Sequence, residues 1–227
     1  MYYKIAHRGA SGYEPENTLR SFKKALDLGA DMIEFDVHIC KSGEVVIIHD
    51  AKVNRTTNGK GAVKRLTLEQ LKQLDAGKGE KIPSLQEALD LINRKAKAVV
   101  ELKGKGTAGP VAKILKEYVD KKGWEYSDFI VISFDHEQLY ELKSIDVNFR
   151  IGLLFIKRPK GIRLFDRNGN KVDLIDLSFE YINFEFVKKM HEKGIEVFAY
   201  TVNEKSDILN LGNMGINAIT SDYPDRL

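Results

Sequence analysis

The chain has 227 residues, of which 43% are hydrophobic and 30% charged, the balance of an ordinary globular protein rather than a disordered or membrane-embedded one. That length buries a full core without disulfide or metal staples and fits an α/β barrel built as one domain over residues 1–227. The formal net charge of +3, with Lys and Arg interspersed among Asp and Glu, argues against a nucleic-acid partner.

Taken in chain order, short apolar runs recur: "YKIAH" (3–7), "DMIEFDV" (31–37), "KAVVEL" (97–102), "FIVIS" (129–133), "FRIGLLF" (149–155), "VDLIDL" (172–177), "IEVFAYT" (195–201) and "NAIT" (217–220). Most are followed by segments with apolar residues three and four apart, as in "NTLRSFKKALDLG", "GPVAKILKEYVDKKG", "EQLYELKSI", "NFEFVKKMHEKG" and "EKSDILNLGNMG". Several of these end in Gly, as helices do at the carboxyl cap. Eight strand-helix units at this length predict an α/β fold, a closed (β/α)8 TIM barrel with parallel strands. An open doubly wound sheet is the alternative, disfavoured because no glycine-rich dinucleotide fingerprint opens a helix.

One segment breaks the alternation. "EFDVHICKSGEVVIIHD" places a second apolar run only a few residues after the second strand, too close for a parallel crossover, so it reads as a β-hairpin. A turn centred on Ser42 and Gly43 pairs Cys40 with Val45, Val37 with Ile48 and Asp36 with His49, and alternation puts Glu34 on the same face. Residues 51–82, with "NRTTNGKG" and the helix-like "TLEQLKQLDAG", read as a small insertion capping the barrel mouth, and "SLQEALDLINR" as a further helix.

In a (β/α)8 barrel the active site lies at the carboxyl ends of the strands. Collected there are His7 and Arg8, Glu34 and Asp36 with His49 beside them, Glu101 and Lys103, Ser133, Tyr200, Thr201, Asn203 and Asp222. Glu34, Asp36 and Glu101 on one rim repel one another unless protonated or neutralised, and all-oxygen ligation suits one hard divalent ion, Mg2+ or Ca2+. A metal-free network pairing the acids with Arg8 and Lys103 is the competing reading. The two cations point to an anionic substrate, a phosphate ester, and two histidines can act as base and acid in one turnover. No activated nucleophile is evident: Cys40 reads as a small buried hydrophobe, and no serine elbow occurs. Water, or a substrate hydroxyl next to the ester, must then attack phosphorus. His38 is a weaker ligand candidate, and His136, His191 and Trp124 read as structural.

A single cysteine suits a reducing compartment, "MYYKIAHRG" lacks a secretory apolar core, and no stretch reaches the length of a membrane span. The expected location is cytoplasmic, with no stable membrane insertion; the oligomeric state is left open.

The stretches "AHRGASGYEPENTLRSF", "GADMIEFDVHICKSGEVVIIHD", "NRTTNGKG", "TLEQLKQLDAG", "IPSLQEAL", "VVELK", "ISFD", "YTVN" and "AITSDYPD", in this order, resemble the glycerophosphodiester phosphodiesterases of the phospholipase C-like barrel superfamily. The resemblance runs nearly end to end. It implies Glu34, Asp36 and Glu101 as metal ligands, His7 and His49 as the acid-base pair, Arg8 and Lys103 as phosphate contacts, and Glu16 in a supporting role. It further implies hydrolysis of small glycerophosphodiesters, such as glycerophosphocholine and glycerophosphoethanolamine, to sn-glycerol 3-phosphate and an alcohol; attack by the glycerol hydroxyl next to the ester is expected to take that reaction by way of a cyclic phosphate. Tyr200 stands where the family usually has tryptophan, which bears on the choice of leaving alcohol. Lysophospholipase D-type activity, with "LEQLKQL" lining an apolar groove, and a catalytically silent phospho-metabolite-binding barrel are the alternatives.

Overall fold

The computed structural model describes residues 2–165 and 168–227. Eight parallel strands close on themselves: β1 (Tyr3–Ala6), β2 (Met32–Ile39), β4 (Lys97–Leu102), β5 (Phe129–Ser133), β6 (Arg150–Phe155), β7 (Leu174–Ser178), β8 (Glu196–Tyr200) and β9 (Ala218–Ser221). The ninth, β3 (Val45–Ile47), is antiparallel to β2. Closure is made by β1, which pairs with β9 along its length but with β2 only at Ile5–Met32 and Ala6–Ile33. Because β1 is four residues long, the upper edge of β2 stays free, and β3 pairs there.

The hairpin register differs from the sequence expectation by one residue. Val37 pairs with Ile47, His38 with Val46 and Ile39 with Val45, so Cys40 lies opposite Glu44 and the expected Asp36–His49 pair is replaced by the Ile48 amide donating to the Asp36 carbonyl at 3.0 Å. The cause is the turn. Lys41, Ser42 and Gly43 form a three-residue connection in which Gly43, at φ +101°, takes the left-handed backbone that closes such a loop.

Four of the helices begin at side-chain caps that their sequences announce. Thr18 caps α1 (Leu19–Asp27), Thr67 caps α2 (Leu68–Gln73), Ser84 caps α3 (Leu85–Ile92) and Asn183 caps α6 (Phe184–His191), each accepting a backbone N–H. Between them lie α4 (Ala108–Lys122), ended by Gly123 at φ +71°, and α5 (His136–Ile145), with α7 (Lys205–Asn213) preceding β9. Among the described residues no helix joins β6 to β7.

Strand alternation divides the core. Ile33, Phe35 and Val37 face the helices in the outer layer, while Ile5, Met32, Val99, Ile130, Ile132, Leu154, Leu174, Phe198 and Ala218 fill the barrel interior. That interior is tight enough to require Gly152, where a Cβ would lie 2.3 Å from Leu174 Cδ1. A third cluster forms beneath the segment after β3, where Val53, Val63, Leu71 and Ile82 pack on Val46 and Ile48. Leu71 is fully buried and Leu68 and Leu74 pack on the same cluster, so the leucines of "LEQLKQL" serve this core rather than a groove. Among the described residues no helix is long and apolar enough to cross a membrane.

Candidate active site

The residues that follow the interior apolar layer on the same strand faces converge on a cavity of about 320 Å³. His7 follows Ile5, Glu34 and Asp36 follow Met32, Glu101 follows Val99, Asp176 follows Leu174, and Tyr200 follows Phe198, each by the two-residue period of a strand. The cavity is lined on one side by His7, Arg8, Glu34, His49, Glu101 and Lys103.

Glu34, Asp36 and Glu101 are all buried and each offers a carboxylate oxygen within 4.8 Å of the others. Burial, with Asp36 and Glu101 nearby, pushes the Glu34 carboxyl well above its usual range, and burial beside Asp36 pushes Glu101 up to about 7. Lys103 Nζ lies 2.9 Å from Glu101 Oε1 and 3.7 Å from Asp36 Oδ1, and Arg8 Nε lies 3.3 Å from Asp36 Oδ2. These cations do not satisfy the acids: Asp36 Oδ1 is buried with no hydrogen-bond partner. Three hard oxygen donors converging with one orphaned oxygen fit a divalent cation. His38 is outside this set. Its Nε2 donates to the His49 carbonyl at 3.1 Å, and burial pushes its pKa down, so it stays a neutral strut behind His49.

The cluster is braced by the loop after β1. Arg8, at φ +54°, turns its amide onto Glu34 Oε2 at 2.8 Å, and Asn17, at φ +58°, donates to Asp36 Oδ2 at 2.7 Å. The turn needs Gly9 at φ +78°, where a Cβ would meet Ser21 Oγ at 2.4 Å.

Each histidine carries a carboxylate on Nδ1. His7 donates to Asp222 Oδ1 at 2.7 Å, and His49 donates to Asp50 Oδ1 at 2.7 Å. Burial opposes ionisation of Asp222, but hydrogen bonds from His7, Asn203 and Ser11 outweigh it and hold the carboxyl at about 2. Hydrogen bonds from Arg55 hold Asp50 low as well. With Nδ1 of each ring turned onto an ionised carboxylate, Nε2 is the nitrogen left to exchange protons, accepting one when the ring is neutral and donating one when it is protonated. His49 thus reaches the cavity by the chain leaving the β3 ladder.

Glu16 stands behind the cavity wall and not on it, accepting from Arg8 at 2.8 Å and from both terminal nitrogens of Arg55 at 2.7 and 2.8 Å. Arg55 also grips Asp50, so one side chain from the segment after β3 ties Arg8 to His49 through two carboxylates. Tyr200 lines the cavity with its ring, edge-on to Phe134 at 6.3 Å, while its hydroxyl donates to the Phe155 carbonyl. Ser133 Oγ donates to the Leu102 carbonyl, His136 to the Leu154 carbonyl, His191 pairs with Asn217, and Trp124 stacks on Phe129, all structural roles.

Sequence reasoning did not single out Asp50, Arg55 or Asp176, and collected Asp222 without giving it a partner. Asp176 had a signal, the alternation in "VDLIDL" that sets it above Leu174 on the inward face. Asp50 and Arg55 lie in a segment without periodicity.

Residues 7–226 match the model of the glycerophosphoryl diester phosphodiesterase family. A glycerophosphodiester phosphodiesterase of Caldanaerobacter subterraneus subsp. tengcongensis is 37% identical, over 98% of this chain and 95% of the relative. One from Bacillus subtilis is 32% identical over 97% of this chain and 83% of the relative. Among solved structures, a phosphodiesterase from Oleispira antarctica in complex with the product sn-glycerol-3-phosphate superposes with a TM-score of 0.88 at 31% identity, covering 98% of this chain and 93% of that one. A glycerophosphodiester phosphodiesterase from Agrobacterium tumefaciens gives 0.85 at 27% identity, over 100% and 98%. On the strength of a match spanning nearly the whole chain and of relatives that share its barrel, this chain belongs to the glycerophosphoryl diester phosphodiesterase family and is a phosphodiester hydrolase.

Proposed function

We propose that the protein hydrolyses small glycerophosphodiesters, glycerophosphocholine and glycerophosphoethanolamine among them, to sn-glycerol 3-phosphate and an alcohol in a divalent-metal-dependent reaction. The observation that carries this reading is the pairing of two histidine-carboxylate dyads with a buried three-acid cluster around one cavity. Glu34, Asp36 and Glu101 would hold one Mg2+ or Ca2+, which when bound supplies Lewis-acid polarisation and charge neutralisation at a phosphoryl oxygen. Arg8 and Lys103 bind the phosphate, and Arg8 is held for this by Glu16.

His7 Nε2 takes the proton from the glycerol 2-hydroxyl while Asp222 stabilises the resulting imidazolium. The freed oxygen attacks phosphorus and forms a cyclic glycerol phosphate, and the bond from phosphorus to the alcohol oxygen breaks as His49, entering the step as the imidazolium, gives its Nε2 proton to that oxygen. Water then opens the ring with the roles reversed: His49 removes a proton from water and His7 returns one to the 2-oxygen. An attacking hydroxyl within the substrate gains an effective concentration that a free water lacks. The segment over 51–82 caps the site and delivers Arg55 to it.

The exposed apolar side chains at the mouth, Phe134 at 44% and Ile156 at 64% exposure, favour a lysophospholipid as a second substrate class. The reading is tested by assaying wild type, His7→Ala and His49→Ala on glycerophosphocholine and on its 2-deoxy analogue. The expected result is turnover of glycerophosphocholine only, lost in both variants, with His49→Ala alone recovering on a nitrophenyl ester of glycerol phosphate. Equal turnover of both substrates by wild type would reject attack by the 2-hydroxyl, and near-normal activity in either variant would reject that histidine.

A further inference from the structure

The cavity has a second half that the metal, phosphate and proton-transfer groups leave unused. Its walls are mainly apolar, with Ile132, Phe134, Leu154, Ile156 and the Tyr200 ring beside the small hydroxyl residues Ser178, Thr201 and Thr220, and the charged residue among them is Asp176. Asp176 is 2% exposed. Its Oδ1 is buried without a hydrogen-bond partner, and its side chain makes no hydrogen bond or ion pair among the described residues. Its ladder neighbours are Leu154 on β6 and Phe198 on β8, and Leu174 precedes it on the inward face, so nothing beneath it can satisfy the carboxyl. The Tyr200 hydroxyl, in the same cavity, is committed to the Phe155 carbonyl.

A buried polar group left unpaired weakens a fold, and natural proteins keep such groups where a ligand completes them. We propose that Asp176 is a specificity-determining residue that binds a hydroxyl of the substrate's glycerol in the apolar half of the cavity. This rests on the glycerophosphodiester reading above and assigns the residue that recognises its glycerol. A hydroxyl fits better than an ammonium group. It both donates and accepts, so it satisfies a carboxyl in either protonation state, whereas an ammonium needs the ionised form. Burial, with Glu101 adding to it, pushes the Asp176 carboxyl well above its usual range and favours the state an ammonium does not pair with.

The test is calorimetric binding of sn-glycerol 3-phosphate and of propyl phosphate, which has the same carbon skeleton without hydroxyls, to the Mg2+-loaded protein. Wild type, Asp176→Leu and Asp176→Asn are compared, with the melting temperature of each. Wild type is expected to bind glycerol 3-phosphate more tightly than propyl phosphate. Asp176→Leu should weaken glycerol 3-phosphate by about tenfold or more and leave propyl phosphate within about threefold. Asp176→Asn, whose amide also donates and accepts, should keep glycerol 3-phosphate within a few-fold. Asp176→Leu should melt higher than wild type, the reverse of what removing a structural residue does. Equal weakening of both ligands, discrimination that survives Asp176→Leu, or a lowered melting temperature would overturn the assignment while leaving the phosphate site standing. Failure of wild type to bind either phosphate would overturn the glycerophosphodiester reading and this one with it. Hydrolysis of glycerophosphocholine, whose choline has no hydrogen-bond donor, separates the sources: a loss confined to glycerophosphoethanolamine in Asp176→Leu would place the contact on the head group and refute the glycerol assignment.

Discussion

Replacing Asp222 with asparagine tests whether His7 depends on a carboxylate. Asp222 Oδ1 accepts from His7 Nδ1 at 2.7 Å and Ser11 Oγ at 2.9 Å, while Oδ2 accepts from Asn203 Nδ2 at 2.7 Å. Asn203 does not turn over to accommodate an amide, because its Oδ1 already accepts from Ser221 Oγ and the Asp222 backbone N–H. The new amide nitrogen therefore points at His7, which must accept at Nδ1 and carry its proton on Nε2, the tautomer unable to act as a base toward the cavity. The expected loss in kcat on glycerophosphocholine is on the order of 10²- to 10⁴-fold, with KM little changed. Stability falls too. Asp222 is held at about 2 against an ordinary 3.8, which corresponds to up to about 2 kcal/mol of stability at neutral pH. A depressed carboxylate contributes above its unfolded pKa and loses the contribution as pH falls through its folded one, so wild type and variant should differ most above about pH 5 and converge toward pH 2. Steady-state kinetics and urea unfolding across that range measure both. A kcat within threefold of wild type, in a variant with the expected loss of stability, would refute the role given to the dyad.

Arg55→Ala removes the clamp on Glu16 and Asp50 and should lower kcat/KM about tenfold, with less than about 1 kcal/mol lost in stability because the side chain is half exposed; unchanged kinetics would show that Arg8 and His49 need no such tie. Tyr200→Phe deletes a hydroxyl that donates to the Phe155 carbonyl and keeps the ring, so kcat/KM should stay within threefold while stability drops by about 1 kcal/mol. A large loss of activity would mean that the hydroxyl meets substrate. In the chelated protein, the raised carboxyls of Glu34 and Glu101 stabilise the fold below their ordinary value of 4.5, and that contribution is lost as pH rises through the folded values, about 7 for Glu101. Melting temperature should therefore fall from pH 5 to 8 after chelation, and added Mg2+ or Ca2+ should restore it increasingly toward pH 8 because the cation competes with protons. A difference between loaded and chelated protein that does not vary with pH would contradict this.

Much of the barrel was legible because buried parallel strands are continuous apolar runs, and "DMIEFDV" and "KAVVEL" announce both strand and chemistry by carrying acids inside such a run. The hairpin was legible from spacing alone, since no parallel crossover fits between Ile39 and Val45. Its register was not. A two- or three-residue turn leaves the same apolar pattern, and the backbone of Gly43 decided between them. Asp222 was visible at a strand end, but its partnership with His7 exists only because β1 closes against β9. Asp176 was hidden by the strength of the apolar signal around it. Arg55 and Asp50 were hidden for the opposite reason, since their loop has no period to read, and only folding brings Arg55 onto Glu16, 39 positions away.

The most direct test is the product of glycerophosphocholine turnover, followed by phosphorus-31 NMR in the metal-loaded protein, after exhaustive chelation, and after Mg2+ or Ca2+ is returned. Cleavage to sn-glycerol 3-phosphate and choline that stops on chelation, resumes on metal return and is absent in Glu101→Ala is the predicted result. Release of phosphocholine and glycerol instead, or full activity in the chelated protein, would contradict a metal-dependent site in which His7 and His49 work on either side of the phosphate.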